Sequence, residues 1–210
     1  MSAAPALDRR AELLSIAARL FAERGLRATT VRDIADAAGI LSGSLYHHFD
    51  SKESMVDEIL QNFLGSLFGQ YTEIVGRGLP PLDTLKIIIE TSFEAIHEQR
   101  DAVAIYQAEA RHLAEQPKFA YIRTRLAEFR RLWFQVLEAG IADGSFRDDL
   151  DVELAYRFLR DTVWVGVGWY RPEGSLTIEA ISAQYISIVV DGIAPRTRST
   201  RKRTQGDSNG

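Results

Sequence analysis

The chain has 210 residues, enough for one or two domains around a substantial core. It contains no cysteine, which excludes disulfide scaffolds, thiol catalysis and thiolate metal sites. Apolar residues make up 46% and charged residues 26%; no apolar run approaches the roughly 18 residues of a membrane span, and Asp8, Arg9, Arg10 and Glu12 interrupt any secretory core, so no membrane partner and a cytoplasmic location are expected.

The net charge of −4 is unevenly spread. Residues 1–55 hold seven basic and seven acidic residues, residues 56–195 hold 13 and 21, and residues 196–210 hold five and one. An acidic body therefore lies between a neutral N-terminal quarter and a basic end. Any polyanion must be met by a local patch or by that end.

The periodicity predicts an all-α chain of about nine helices, because apolar residues recur at three and four. Gly25 closes the first helix. Thr30 and Asp33 form a capping-box-like start to a second, Val31–Ala38. Gly39-Ile40-Leu41 reverses the chain, and Ser42 is expected to cap a short third helix, Ser42–Phe49. Asp50 with Glu53 is expected to start a fourth, running through Phe63 toward Tyr71. After the loop at residues 76–81, Pro81 suits a first helical position. The fifth helix should reach about Arg100, and the sixth about Ala114. Pro117 should open a long seventh helix closing near Gly140–Gly144. Asp151 should cap an eighth, broken at Arg171-Pro172-Glu173-Gly174, and a ninth should end near Gly192 and Pro195. Beyond Pro195 the chain is polar and basic, which predicts a disordered tail over residues 196–210.

The most informative stretch is Thr29–Ile59. Its second helix is amphipathic through Val31, Ile34, Ala35 and Ala38. Its third can pack Leu45 and Phe49, four apart, inward. Two helices joined by a glycine-containing turn make a helix-turn-helix, whose second helix fits the DNA major groove. Small residues at the start of that helix let its backbone approach the bases, and hydroxyls and ring nitrogens can bond phosphates. The predicted layout is a DNA-binding unit over residues 1–54, then a larger helical unit over residues 55–195.

From Arg9 to Met55 the chain resembles the TetR family of transcriptional repressors, on ARLFAERG, TTVRDIA, AGI, SLYHHF and SKE. The resemblance implies a ligand-responsive repressor that binds a palindromic operator as a homodimer, with residues 55–195 as its effector-binding and dimerisation domain. It implies that Thr30, Arg32, Ser44, Tyr46, His47 and Lys52 touch DNA, mostly phosphates, and that Ser42 and Gly43 sit where base edges are read. One departure stands out. Many members carry Ser-Lys-Gly where this chain has Leu41-Ser42-Gly43, so the usual guanine-reading lysine is absent; Leu41 could meet a thymine methyl instead.

Helices eight and nine, through Phe158, Val163, Gly166, Val167, Ile181, Ile188 and Val189, are expected to build a four-helix dimer interface. Pocket candidates are the bulky residues beyond simple core stripes: Phe93, Tyr106, Arg111, Phe129, Arg130, Trp133, Trp164, Trp169 and Tyr170. Three tryptophans with clustered arginines suit an apolar ligand carrying an anionic group. Arg123, Arg130 and Arg131 share a side of the seventh helix, and Arg157 and Arg160 lie on the eighth. The segments ATTVRDIADAAGILSGSLYHHF, AIYQAEARHLAEQPKF and YRFLRDTVWVGVGWYRPEG together resemble an actinobacterial branch of the family that represses late steroid-ring (cholesterol) catabolism. That resemblance implies an acyl-CoA effector derived from the steroid C and D rings.

One rival comes from another class. Glu94-x-x-His97 and Glu109-x-x-His112 have the spacing of di-iron carboxylate bundles. With a break near Arg100, His97 falls about 4–5 Å before the corner and Glu109 about 13 Å past it, so the two motifs would not be level. The remaining two histidines, His47 and His48, are adjacent and diverge on a helix, a poor metal pair.

Overall fold

The computed structural model describes residues 4–195, with side chains from Arg9 onward. The basic end expected to be disordered lies outside the described residues. Ten α-helices follow in order: α1 Ala4–Arg24, α2 Val31–Ala37, α3 Ser42–Leu45, α4 Lys52–Gly76, α5 Pro81–Glu98, α6 Arg100–Leu113, α7 Tyr121–Ala142, α8 Val152–Trp164, α9 Gly166–Trp169 and α10 Ile178–Ile193. A 3-10 turn, Pro117–Phe119, precedes α7. Among the described residues there is no strand.

Helices α1 to α3 enclose a small core of Leu13, Ala17, Leu20, Phe21, Ile34, Leu45 and Phe49, closed below by Met55 of α4. Leu45 and Phe49 point inward as their spacing predicts. The expected capping box on α2 is present: the Asp33 amide donates to Thr30 Oγ1 at 3.1 Å, and the Thr30 amide donates to Asp33 Oδ2 at 2.8 Å. Gly39 takes φ 66°, the left-handed conformation that makes the turn. Two caps differ from expectation. Ser42 is the first residue inside α3, whose N-cap is Leu41 without a side-chain bond. The cap of α4 is Ser51, reciprocated by Ser54 through bonds of 3.1 and 3.2 Å, and not Asp50 with Glu53. A hydroxyl next to the helix outcompetes a carboxylate one residue too early.

The long α4 leaves the reader and enters the body, where its buried face (Leu60, Phe63, Leu64, Leu67, Tyr71) packs against α5, α6 and α7. α1 lies along α6, giving a second contact between reader and body. The expected seventh helix closes differently at its two glycines. Gly144 (φ 79°) is the terminator. Gly140 remains helical because the buried Phe146 ring, folding back from beyond the helix end, occupies the place of its side chain: an added Cβ would meet the ring at 2.2 Å. Gly140→Ala should therefore force Phe146 aside and destabilise the fold by about 1–3 kcal/mol. Thermal unfolding should report it, whereas Gly76→Ala, with open space around the new methyl, should not lower stability.

The expected eighth helix stops six residues early, at Trp164. Gly166 and Gly168 weaken the helix, and Gly166 sits within 3.6 Å of the Phe93 and Ile96 side chains, measured from an added Cβ. The chain restarts as α9 and then turns into α10.

Candidate functional site: reader surface and ligand chamber

The α2–turn–α3 unit presents a contiguous outer face. Leu41 is 80% exposed and Tyr46 56%, and Thr30, Arg32, Gly43 and His47 are also exposed; Ser42 and Ser44 are half-buried. Tyr46 and His47 are thus outside the small core formed by their neighbours Leu45 and Phe49. Arg32 makes only a loose pair with Asp36, at 3.7 Å, too weak in solvent to hold it. Gly43 has ordinary helical backbone, and a Cβ there would touch nothing in the chain. Nothing internal requires glycine at that position.

Lys52 behaves differently from the rest of this set. Its half-buried ammonium donates to the carbonyls of Leu26 at 2.8 Å and Thr29 at 3.0 Å. It latches the loop before α2 onto the first turn of α4. Lys52→Met should lower thermal stability by about 1–2 kcal/mol, the range for hydrogen bonds to a charged group. It should leave the salt dependence of DNA affinity unchanged; a phosphate contact would instead reduce the slope by about one per site.

Behind the reader, two cavities adjoin. The outer one, of about 520 Å³, lies between α6, α7 and α8 and has Arg111, Arg123 and Arg160 on its walls with Glu115 and Asp161. The inner one, of about 30 Å³, is ringed by Phe63, Tyr71, Phe129, Trp133, Tyr156 and Trp164. Tyr106, Leu126, Arg160 and Trp164 line both and form the neck between them. Arg160 is fixed there: its Nε donates to Asp161 Oδ1 at 2.6 Å, and its guanidinium lies 5.2 Å from the Tyr156 ring centroid. Burial pushes the Tyr106 phenol up to about 12, so it stays neutral and can serve as a hydrogen-bond donor. Phe63, on α4, sits 5.9 Å from Tyr106 and 6.1 Å from Trp164, ring to ring.

Five of the nine pocket candidates lie on these walls: Tyr106, Arg111, Phe129, Trp133 and Trp164. Four do not. Arg130 pairs with Glu153 at 2.5 Å and stacks on Phe134 at 3.8 Å, outside the chamber. Trp169 is 52% exposed. Tyr170 is buried with its hydroxyl 2.6 Å from His97 Nδ1. Phe93 packs edge-on to Tyr185. Phe63, Tyr71 and Tyr156 were missed as pocket residues; Phe63 was legible only as one member of an ordinary core stripe.

The Glu-x-x-His pairs are not brought together. His97 is engaged with Tyr170, while His112 Nε2 lies 3.1 Å from Arg27 Nη2 at the reader–body contact. Among the described residues no group of three His, Asp or Glu side chains could hold a metal ion. Nor is any described helix long and apolar enough to cross a membrane.

Comparison with known proteins agrees with this arrangement. Residues 13–59 match the family described as bacterial regulatory proteins, tetR family, and residues 78–193 match the tetracyclin repressor-like C-terminal domain. The chain is 66% identical over 186 residues to the HTH-type transcriptional repressor KstR2 of Rhodococcus jostii, covering 89% of this chain and 91% of the relative. It is 58% identical over 186 residues to KstR2 of Mycobacterium tuberculosis H37Rv, covering 89% and 93%. The solved structure of the ketosteroid transcriptional regulator KstR2 of M. tuberculosis superposes with a TM-score of 0.88 at 57% identity, covering 90% and 96% of the two chains. With a helix-turn-helix on its surface, both family matches spanning most of its length and relatives that are named repressors, the chain belongs to the TetR family of transcriptional repressors.

Proposed function

We propose that this repressor binds a palindromic operator as a homodimer and is released by a CoA thioester whose acyl group derives from steroid-ring (cholesterol) catabolism. The observation that carries the effector class is the pair of adjoining cavities. An arginine-bearing outer cavity suits phosphates, and an aromatic inner chamber suits fused hydrocarbon rings. The names of the relatives, a ketosteroid regulator among them, favour a steroid-derived acyl group. Tyr106, Arg111, Phe129, Trp133 and Trp164 keep their proposed effector role, joined by Arg123, Tyr156 and Arg160.

The dimensions supply a release mechanism. The outer cavity falls within the range of about 300–1,000 Å³ usual for ligand sites, but the inner chamber is far below it. Fused rings can enter only if the surrounding side chains repack, and four of them, Phe63, Leu64, Leu67 and Tyr71, belong to α4. The N-terminal end of that helix is tied by Lys52 to the loop before α2. A ligand that prefers the widened chamber thereby biases α4 away from the DNA-competent arrangement.

Homodimerisation rests on α8 to α10. Phe158, Ile188, Val165 and Trp169 are large apolar residues left exposed there, a set that marks an interaction face. Of the predicted contact residues, Val163, Gly166 and Val167 are buried within the chain, whereas Phe158 and Ile188 are outward and Ile181 and Val189 half-buried. On the DNA side the reading uses Thr30, Arg32, Ser44, Tyr46 and His47 for phosphates, and Leu41, Ser42 and Gly43 against base edges. A dimer would place half-sites about 34–36 Å apart or a multiple of that.

The test is footprinting and gel shift on genomic fragments captured by the purified protein. A two-fold symmetric footprint, released by steroid-derived CoA thioesters but not by free CoA, is expected. Release by an unrelated ligand class, with steroid-derived thioesters inert, would overturn the effector assignment.

A further inference from the structure

Of the four α4 side chains on the wall of the inner chamber, Phe63, Leu64 and Leu67 are hydrocarbon, and Tyr71 alone carries a polar atom. Its ring packs edge-on to Phe129 and Trp133 of α7, at 5.4 and 6.2 Å between centroids. Its hydroxyl is hydrogen-bonded to Ser92 Oγ of α5, a residue that is not on the chamber wall. Both residues are buried. Ser92 has one proton and gives it to the Ile88 carbonyl at 2.6 Å, so Tyr71 donates and Ser92 accepts. Burial holds the Tyr71 phenol above its usual range, which keeps the donated proton in place. Apolar contacts are non-directional, so the hydrocarbon side chains can slide past their neighbours. Tyr71 cannot shift in the same way without breaking its bond or dragging α5. That helix is not free to follow: α4, α6, α7, α8, α9 and α10 all pack on it, and Phe93, next in sequence to Ser92, meets the Tyr185 ring of α10 at 5.4 Å. Widening the chamber therefore breaks the bond.

We propose that the Tyr71–Ser92 hydrogen bond is the latch that holds the inner chamber closed and sets how much effector is needed for release, with Tyr71 as a positioning residue for α4; this role rests on the effector assignment proposed above. The bond is arranged to open on one side only. Ser92 keeps its proton on the Ile88 carbonyl when Tyr71 leaves, so the cost falls on the Tyr71 donor, left without an acceptor. A closed form favoured in this way lowers the apparent affinity for any ligand that needs the widened form, in proportion to the fraction of molecules that are widened. Removing the latch raises that fraction and leaves the contacts with the ligand in place.

The experiment is release of operator DNA from the full chain by the CoA thioester of a steroid C- and D-ring acid, read by fluorescence anisotropy and accompanied by thermal unfolding, for Tyr71→Phe, Ser92→Ala and the double variant. Tyr71→Phe keeps the ring and removes one oxygen. The thioester concentration for half-release should fall by about 5- to 10-fold, the worth of one buried hydrogen bond. Ser92→Ala should lower it by a similar factor, with operator affinity in the absence of effector within about twofold of the parent because the closed form remains the major one. The double variant should gain no more than either single one, since each removes the same bond. A bond that only supports the fold would lower the melting temperature and leave the release curve in place; that result overturns the proposal, as does a double variant whose gains multiply. A parent protein that the thioester fails to release overturns the effector assignment and the latch together. A parent that is released, beside variants with the same release curve, overturns the latch alone.

Discussion

Tyr46→Ala is expected to reduce operator affinity about 100-fold while leaving the melting temperature within a degree or two of the parent. The ring is more than half exposed, and the core beneath it is made by Leu45 and Phe49, so the fold loses little. With the proposed phosphate contact, the DNA complex would lose a hydroxyl bonded to a phosphate oxygen. A hydrogen bond to a charged group is worth about 1.5–3 kcal/mol, and a two-fold symmetric reader loses it twice, so about 3 kcal/mol is a conservative total and corresponds to roughly two decades in Kd. The loss should be nearly uniform across operator variants, because phosphates carry no sequence information. Gly43→Val makes the complementary case. Its side chain would meet nothing within the protein, yet it would stand between α3 and the base edges. Affinity should fall with folding intact, and Ser42 substitutions should change which operator is preferred. Fluorescence anisotropy on a panel of operators measures both. Uniform loss for Ser42 variants as well as Tyr46→Ala would show that the base reader lies elsewhere.

The reader was legible because its signals are local. Gly39 at a left-handed turn, the Thr30–Asp33 capping box and the Leu45/Phe49 pair all fall within 20 residues, where periodicity and cap chemistry act directly. The proposed effector chamber was legible only in part because it is made where α4, α6, α7 and α8 meet, and meeting is tertiary information. Phe63 recurs with Ile59 and Leu67 as core residues do, and nothing in that spacing says that Tyr106 and Trp164 will flank it. Aromatic bulk was a poor guide to direction: Trp164 reaches the neck of the chamber, whereas Trp169, five residues on, faces outward. Arginines were equally ambiguous in sequence. Arg130 and Arg160 each have an acidic partner and an aromatic ring beneath, and only the fold puts Arg160 on the wall shared by the two adjoining cavities and Arg130 away from both. Lys52 shows a further limit. Its position beside the DNA-facing segment suggests a phosphate contact, while its geometry spends the ammonium on two carbonyls.

Arg160→Met should shift the concentration of CoA thioester that releases the operator upward by about 10- to 100-fold and leave operator affinity without effector within twofold. The side chain sits on the wall shared by both cavities, so it is placed to meet the junction between an anionic head and an apolar body. Losing a charged hydrogen bond there costs about 1.5–3 kcal/mol of ligand affinity, which converts to that range. Methionine retains much of the length that covers Tyr156, and the stranded Asp161 is exposed enough for water to solvate it, so the fold should hold. Arg130→Met is the matched control: it also removes a guanidinium from the body's surface, but one that touches neither cavity, and the release curve should not move. Coupling is reciprocal at the level of binding. Operator DNA should therefore weaken thioester binding to the parent, and by the same factor to the Arg160→Met protein, since the lost contact is to the ligand and not to α4. Phe63→Ala should do the opposite, opening the chamber and tightening ligand binding while diminishing that factor, because the side chain the ring system must displace is then absent. If instead Arg160→Met reduces the coupling factor and spares thioester affinity, the arginine belongs to the transmission path and the anionic head is held by other groups.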